Sequence, residues 1–186
     1  MRQKGLKEGH SILHHLSRIA PQMLRLKEQS NLSEFVLHEL CCQDGFSLNK
    51  AAYLVDNPDF NCLRGIAGYS CHEAYPLVDN GSIWDVPEEF SAHMGKSSFN
   101  QAVRSVNQNS VRAIAALSAE GSDAFHAVST VKEMAQAFGF EQYDMYSWDM
   151  KHDNHGILLF EWSDNASVPD EHFKNGVSLL GFCPLF

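Results

Sequence analysis

The chain has 186 residues, of which 44% are hydrophobic and 20% are charged, and its 12 Phe, 5 Tyr and 3 Trp provide ample material for a core. This length and composition fit one globular domain and exclude a largely disordered chain. The formal net charge of -9 argues against a general nucleic-acid surface, which needs an excess of Lys and Arg.

The N-terminal segment is basic, but His and Arg residues follow it where a signal peptide or anchor would have an apolar stretch. Apolar runs elsewhere are far shorter than the roughly 18 residues that cross a bilayer. Five cysteines, an odd number that includes one adjacent pair, favour reduced thiols over a disulfide framework. We therefore expect a cytoplasmic protein without a membrane segment.

Apolar residues at helical spacing predict three helices in the first 55 residues. The first covers Leu6–Gln29, and Pro21 is expected to kink it or divide it in two. The second covers residues 31–44 and begins with a variant of the capping box. The third is a short helix at Ser47–Val55, which the Asp-Asn-Pro sequence at residues 56–58 would end.

Helical periodicity fails in the segment Asp59–Ser82, where glycines and a proline predict irregular structure with one short strand at Cys62–Ile66. Helices are predicted again from Asp85 to Gly95 and at residues 98–106 and 110–119. The best-patterned helix begins at Ser122 and ends at Gly139. Its predicted buried face consists of Phe125, Val128, Val131, Ala135 and Phe138.

The pattern changes in the last quarter of the chain. Aromatic and aliphatic residues at Gln142–Met150 and Gly156–Trp162 predict an antiparallel hairpin, followed by a helical turn at residues 168–175 and a third strand at 177–182. The sequence thus predicts one α+β domain over residues 1–186. In it, the N-terminal three quarters, about 6–139, are mainly helical and pack on a small C-terminal antiparallel sheet at about 140–186.

Four of the five cysteines lie in the stretch from residue 38 to residue 73. A helix would place His38 one turn before Cys41 and Cys42, and thiolate with imidazole is the ligand set that zinc or iron prefers. The spacing matches no zinc finger, and free cysteines are commonly buried in a core. The candidate metal ligands are His38, Cys41, Cys42, Cys62, Cys71 and His72.

Other motifs are weaker and have ordinary structural explanations. The pair His10 and His14 could bind zinc from one helix face, although Arg18 follows on the same face, and His152 and His155 could meet a metal on a hairpin loop. The glycines of the G-x-x-G sequence at residues 65–68, with Arg64, could bind an anion. Residues 40–55 resemble the pattern of a helix-turn-helix, but its recognition helix would carry one cation, so we expect no nucleic-acid partner.

Aromatic side chains dominate the predicted C-terminal hairpin, and both faces of its strands carry large apolar groups. Internal packing is one explanation. An interface with a protein partner or a second copy of the chain is the other. The candidate interface residues are Tyr143, Tyr146, Trp148, Phe160 and Trp162.

The sequence contains no nucleophile elbow, Walker loop or dinucleotide fingerprint. We therefore expect a binding or regulatory protein that acts through an acidic and aromatic surface. The alternative is a metal- or thiol-dependent enzyme built on the Cys/His cluster at residues 38–73, with Glu73 as its nearest general base.

Overall fold

The computed structural model describes residues 2–60, 62–76, 81–109, 131–163 and 171–184. The strands within these residues are β1 (Leu48–Asn57), β2 (Cys62–Ser70), β3 (Asn107–Asn109), β4 (Asp144–Asp149) and β5 (His155–Trp162). They form a five-stranded antiparallel sheet in the order β3-β2-β1-β5-β4. The central strand β1 pairs with β2 on one side and with β5 on the other, so the sheet joins distant parts of the chain.

Helices surround this sheet. They are α1 (Arg2–Arg25), α2 (Leu32–Cys41), α3 (Pro87–Met94), α4 (Ser98–Arg104), α5 (131–137) and α6 (Glu171–Ser178). Short 3₁₀ turns lie at Pro58–Phe60, Cys71–Glu73, Ile83–Asp85 and Leu179–Phe182. None of the helices in the described ranges has the length and apolarity that a membrane crossing requires.

Both faces of the sheet are buried. On the first face, side chains of β1, β2 and β5 such as Tyr53, Tyr69 and Phe160 pack with α1, α2, α3 and α6. On the second, alternate residues of the same strands such as Leu54 and Ile157 pack with α4 and α5. Because side chains of a strand alternate between its faces, burial on both sides requires a continuous apolar run.

The predicted small C-terminal sheet behind a mainly helical N-terminal region is wrong, although the α+β class is right. Residues 48–70, predicted as a helix and an irregular segment with one short strand at Cys62–Ile66, form the strands β1 and β2, and the short strand is confirmed as the start of β2. The run Ala51–Val55 is buried on both faces, so it lacks the alternation that identifies a half-exposed strand. Because a central strand is buried on both faces, the alternation of apolar and polar residues is missing from its sequence. The helix-turn-helix interpretation is wrong as well, because its predicted recognition helix is the strand β1.

Several other predicted elements can be compared with the structure. The C-terminal hairpin is confirmed as β4 and β5, whereas the predicted third strand is a helix followed by a 3₁₀ turn. The N-terminal helix continues through Pro21 to Arg25. The predicted helix at residues 110–119 and the start of the next, with Phe125 and Val128, lie outside the described residues. The end of that helix has the expected buried residues, and Gly139 follows it with a φ of 69°.

The edge of β2 beyond β3 is covered by α4. The Gly68 amide donates a hydrogen bond of 2.8 Å to the side-chain oxygen of Asn100, and the Gly65 amide donates one of 3.0 Å to the carbonyl of Val106. A side chain at either glycine would collide with α4. The G-x-x-G sequence therefore serves helix packing, and both of its glycine amides are occupied by the protein itself.

Candidate functional site

A cleft of about 700 Å³ opens on the first face of the sheet, at the end where β1 turns into β2. Val55 and Asn57 of β1 lie directly opposite Arg64 and Cys62 of β2 in the strand register. Residues two apart on a strand and their cross-strand partners share one face, so the register brings these four side chains to one surface. With Ile66, they form the floor of the cleft.

Two further segments form the walls. The turn between β4 and β5 contributes Met150, Lys151, His152 and Asn154. The C-terminal segment contributes Gly181 from the last 3₁₀ turn, and Cys183 and Pro184, which follow that turn. The Met150 amide donates a hydrogen bond of 2.8 Å to the Asn154 carbonyl, which closes the turn. His152 has a φ of 62° and the next residue one of 54°, the paired left-handed conformations of a tight hairpin turn.

The two walls are tied to the core. The Tyr53 hydroxyl donates to the carbonyl of Leu180 at 3.3 Å and lies 3.6 Å from the sulfur of Met150. Because Tyr53 is fully buried at the centre of β1, these contacts anchor both walls to the rigid sheet. The cleft is thus preformed, and its volume lies in the range of roughly 300–1,000 Å³ that is typical of small-molecule sites.

The charge at the cleft is opposite to that of the whole protein. Arg64 and Lys151 are exposed, and neither forms an ion pair within the part of the chain that the structure describes. Asp59 is the acidic residue among the lining side chains, and His152 adds a positive charge when it is protonated. In a protein with a net charge of -9, this group of cations distinguishes the cleft from the remaining surface.

One polar group inside the cleft is not satisfied by the protein. The side chain of Asn154 is 7% exposed, and its Oδ1 atom has no hydrogen-bond partner among the described residues. A buried amide without a partner costs roughly 1–3 kcal/mol, so such groups are uncommon in folded proteins. The Oδ1 atom itself is inaccessible to solvent, so Asn154 is a buried polar residue beside the cleft.

The predicted metal ligands are distributed over separate places. His38 is 3% exposed and lies edge-on to the rings of Tyr69 and Phe90, with centroid distances of 5.6 and 5.3 Å. Both of its ring nitrogens are buried and have no partner within the described ranges. Burial, together with the charge of His93, lowers the pKa of His38 to about 4. It is therefore a neutral core residue at physiological pH.

The thiols of the adjacent residues Cys41 and Cys42 have a raised pKa because they are largely buried. Burial, reinforced by the neighbouring Cys42, raises the pKa of Cys41 well above its ordinary value. Burial followed by the charge of Glu39 raises the pKa of Cys42 to about 11, and its thiol donates to the Glu39 carbonyl at 3.2 Å. A raised pKa disfavours the thiolate, which is the form that binds metals and acts as a nucleophile.

The other three candidates do not complete a metal site with this pair. Cys62 lines the cleft and its thiol lies 3.0 Å from the side-chain oxygen of Asn107, whereas Cys71 and His72 are exposed in a 3₁₀ turn. Over the described ranges, the structure contains no group of three His, Cys, Asp or Glu side chains that could hold a metal ion. The cluster predicted from the sequence is thus not assembled by the fold.

The histidine pairs can be placed in part. His14 is exposed on α1, and the side chain of His10 lies outside the described residues. His155 bonds to Asp149 through a 3.0 Å contact between its Nδ1 atom and the carboxylate, whereas His152 lines the cleft. The hairpin histidines therefore have separate partners, and His152 is the one that contributes to the candidate site.

Glu73 caps a helix. Its carboxylate accepts hydrogen bonds from the hydroxyls of Ser97, at 2.6 Å, and Ser98, and from the Phe99 amide at 3.1 Å, all at the N-terminus of α4. Partial burial alone would raise the pKa of Glu73, but these hydrogen bonds outweigh it and lower the pKa. The hydrogen bonds thus make the carboxylate a weaker base, whereas a general base that works near neutral pH needs a raised pKa.

Replacing Glu73 with alanine is expected to lower the free energy of unfolding by about 1 kcal/mol at neutral pH, because the first turn of α4 loses its cap and its favourable charge. The lowered pKa means that the wild-type advantage is lost as the pH falls through the folded-state pKa. Urea unfolding measures both effects, with Glu133→Ala on the exposed side of α5 as the control. Equal stability of the two variants would contradict this role.

The predicted interface aromatics mainly support the fold. Phe160 is 1% exposed and packs against Phe173 of α6 at a centroid distance of 4.9 Å. Trp148 stacks between Tyr146 and Tyr53, with centroid distances of 5.9 and 5.7 Å. Phe160 is therefore a core residue, whereas Tyr146 and Trp148 are partly exposed and their role in an interface stays a prediction.

The two remaining candidates are partly exposed. The indole of Trp162 donates a hydrogen bond of 2.9 Å to the carboxylate of Asp144, and the ring of Tyr143 is tilted against that of Phe140 with centroids 6.3 Å apart. Their role in an interface stays a prediction. The residues that line the cleft on the two walls, notably Met150, Lys151 and Asn154, were not recognised as a site from the sequence.

No family model, curated protein or solved structure matches the chain.

A local signal for the site did exist in the sequence, since Lys151-His152 is a basic pair on a predicted hairpin loop. Its meaning depended on knowing that Arg64 lies at the same end of the sheet. A short strand at Cys62–Ile66 was predicted, but its partner β1 was predicted as a helix, so the cleft between the two hairpins could not be inferred.

Proposed function

We propose that the protein is a binding or regulatory protein that takes up a small apolar molecule in the cleft between the β1–β2 and β4–β5 hairpins. The observation that carries this proposal is the preformed cleft of about 700 Å³ with an unsatisfied buried amide at Asn154. Largely apolar pockets with a few convergent polar groups are the usual form of a ligand site. This proposal differs from the acidic and aromatic surface expected from the sequence, because the cleft carries Arg64 and Lys151 and none of the predicted interface aromatics.

The apolar part of the ligand would rest on the floor and on one wall. Val55 and Ile66 supply aliphatic surface from the sheet, and Met150 supplies a flexible thioether that adapts to different shapes. Phe60 lies at the rim and is 80% exposed, which is unusual for so large an apolar side chain. A ligand that contacts this ring would remove it from water and gain free energy in proportion to the buried area.

A neutral fluorescent dye, phenylnaphthylamine, tests the proposal. We expect it to bind the wild-type protein with a stoichiometry of one and to bind Ile66→Trp about tenfold more weakly, because the indole would fill the floor of the cleft. Pro184→Trp narrows the cleft from the opposite wall and provides a second blocking variant. Fluorescence titration measures binding, and circular dichroism verifies that each variant is folded.

The matched control is Ser105→Trp, which adds the same side chain at an exposed position on another cavity. Its dye affinity should equal that of the wild type. The proposal fails if the wild-type protein does not bind the dye, or if folded Ile66→Trp and Pro184→Trp bind it as tightly as Ser105→Trp does.

A further inference from the structure

We infer that the ligand of the cleft is an apolar molecule with an anionic group, such as a small aromatic or aliphatic carboxylate. This inference rests on the proposed function and adds the chemical class of the ligand. Its basis is the pair of cations that the fold places at the cleft, neither of which has an ion-pair partner among the described residues, together with the neutral amide of Asn154 in the lining.

Arg64 is the more informative of the two cations. It lies opposite Val55 in the register, on the face that forms the floor, and also borders a small adjoining cavity of about 30 Å³. Arg104 and Glu34 line that same cavity and form an ion pair with each other. The buried carboxylate of Glu34 is therefore engaged by Arg104, and the Arg64 guanidinium remains available. Its planar fork suits bidentate contact with a carboxylate or a similar oxyanion.

Lys151 provides a second positive charge, from the opposite wall. It precedes the two left-handed residues of the β4–β5 turn, so the tight turn determines its place at the cleft. Asp59 partly offsets these charges, and His152 adds to them when it is protonated. In a protein with 23 acidic and 14 Lys and Arg residues, two unpaired cations beside one acid favour an anion over a cation.

Asn154 is a neutral polar residue of the cleft lining. An amide nitrogen can donate a hydrogen bond, and a carbonyl group on the ligand body would accept it. The resulting arrangement has aliphatic contacts from Val55, Ile66 and Met150, one neutral polar contact, and an anionic group near Arg64 and Lys151. Each part of the predicted ligand thus corresponds to an observed feature of the cleft.

A pair of related dyes tests the charge preference. Anilinonaphthalene sulfonate has the aromatic body of phenylnaphthylamine and adds one sulfonate group. We expect the wild-type protein to bind the sulfonate dye about tenfold more tightly at low salt, and the preference to decrease as salt screens the charges. The single variants Arg64→Gln and Lys151→Gln should each lose part of the preference and the double variant all of it, where the preference is the ratio of the two dye affinities measured on the same variant.

The control variant is Lys96→Gln, which removes an exposed lysine beyond the end of α3 and should keep the wild-type preference. If neither dye binds, the proposed function itself fails. If the neutral dye binds in the cleft but the sulfonate dye binds no more tightly, or its advantage survives in the double variant, the proposed function stands and the inference of an anionic ligand is overturned.

Discussion

Gly65→Ala is expected to lower the free energy of unfolding by more than about 3 kcal/mol, at the upper end of the range for overpacking a core. A Cβ atom at this position would lie 1.8 Å from the carbonyl oxygen of Val103 at the end of α4. That oxygen belongs to the backbone and accepts a hydrogen bond from Val106, so it cannot rotate away as a side chain would. Either α4 must separate from β2, or the strand must bend.

The consequence would extend to the candidate site, because Gly65 lies between Arg64 and Ile66 of the cleft. A bend in β2 would displace both side chains, so the Gly65→Ala protein should bind the neutral dye more weakly in addition to being less stable. Urea unfolding followed by circular dichroism gives the stability, and fluorescence titration gives the affinity.

Gly95→Ala is the matched control, since a Cβ atom there would come no closer than 3.4 Å to any other residue and the backbone φ is -63°. Its stability should equal that of the wild type or exceed it by roughly 0.4–1 kcal/mol, because alanine restricts the unfolded chain. A Gly65→Ala protein that is as stable as Gly95→Ala would show that α4 does not pack on β2 as described.

His38→Leu is expected to stabilise the protein at neutral pH by about 1–3 kcal/mol, the cost of a buried polar group without a partner. Both ring nitrogens of His38 are buried without a partner among the residues that the structure describes, and aromatic rings of Tyr69 and Phe90 surround the imidazole. Leucine has a similar volume and no polar atoms. Volume-conserving apolar replacements are the best tolerated in cores.

The difference between wild type and His38→Leu should grow as the pH falls. Burial and then the charge of His93 lower the pKa of His38 to about 4, whereas an unfolded histidine has a pKa near 6.5. Between these values the unfolded chain binds a proton that the folded chain does not, so acid destabilises the wild type. The resulting loss at pH 4 is about 3 kcal/mol, at 1.36 kcal/mol for each pKa unit.

Urea unfolding between pH 7 and pH 4 measures this divergence. His72→Gln is the control, because His72 is exposed and its replacement relieves no buried nitrogen. We expect its stability at neutral pH to be that of the wild type. A His38→Leu protein that is less stable than wild type at neutral pH, or that loses stability in acid as steeply, would show that His38 has a partner in the folded state.

The elements that could be predicted from the sequence have clear local start and stop signals. Helix α3 begins with a proline and acidic residues and ends before Gly95. Strand β5 is buried on both faces, as β1 is, but polar turn residues separate it from β4 and mark the hairpin. The same holds for Gly139, whose positive φ follows from its position after a helix.

The predictions failed where burial is two-sided. Strand β1 carries apolar residues to both faces of the sheet, so the run Ala51–Val55 has no period that separates strand from helix. The G-x-x-G sequence of β2 suggested irregular structure. Those glycines instead permit α4 to approach the strand, which is a contact between residues more than 30 positions apart.

Several residues of the candidate site were noticed in the sequence, but they were assigned to different predicted sites. Cys62, Arg64 and His152 each attracted notice in the sequence, but as members of a metal cluster, an anion loop and a histidine pair. The structure places all three around one cleft, because the β1–β2 and β4–β5 turns lie at the same end of the sheet. Conversely, Cys41, Cys42 and His38 were grouped by proximity in the chain, and burial gives them pKa values unsuited to the chemistry expected of them.

The sequence by itself determined the α+β class, the terminal helix, α3 and the C-terminal hairpin, because capping, proline and glycine preferences and short-range periodicity are local properties. Only the tertiary structure decided that the sheet is central, that two glycines of β2 allow α4 to pack closely on the strand, and that Arg64 and Lys151 lie at one cleft. These depend on antiparallel register between strands far apart in the chain. Register is set by which side chains can be buried together.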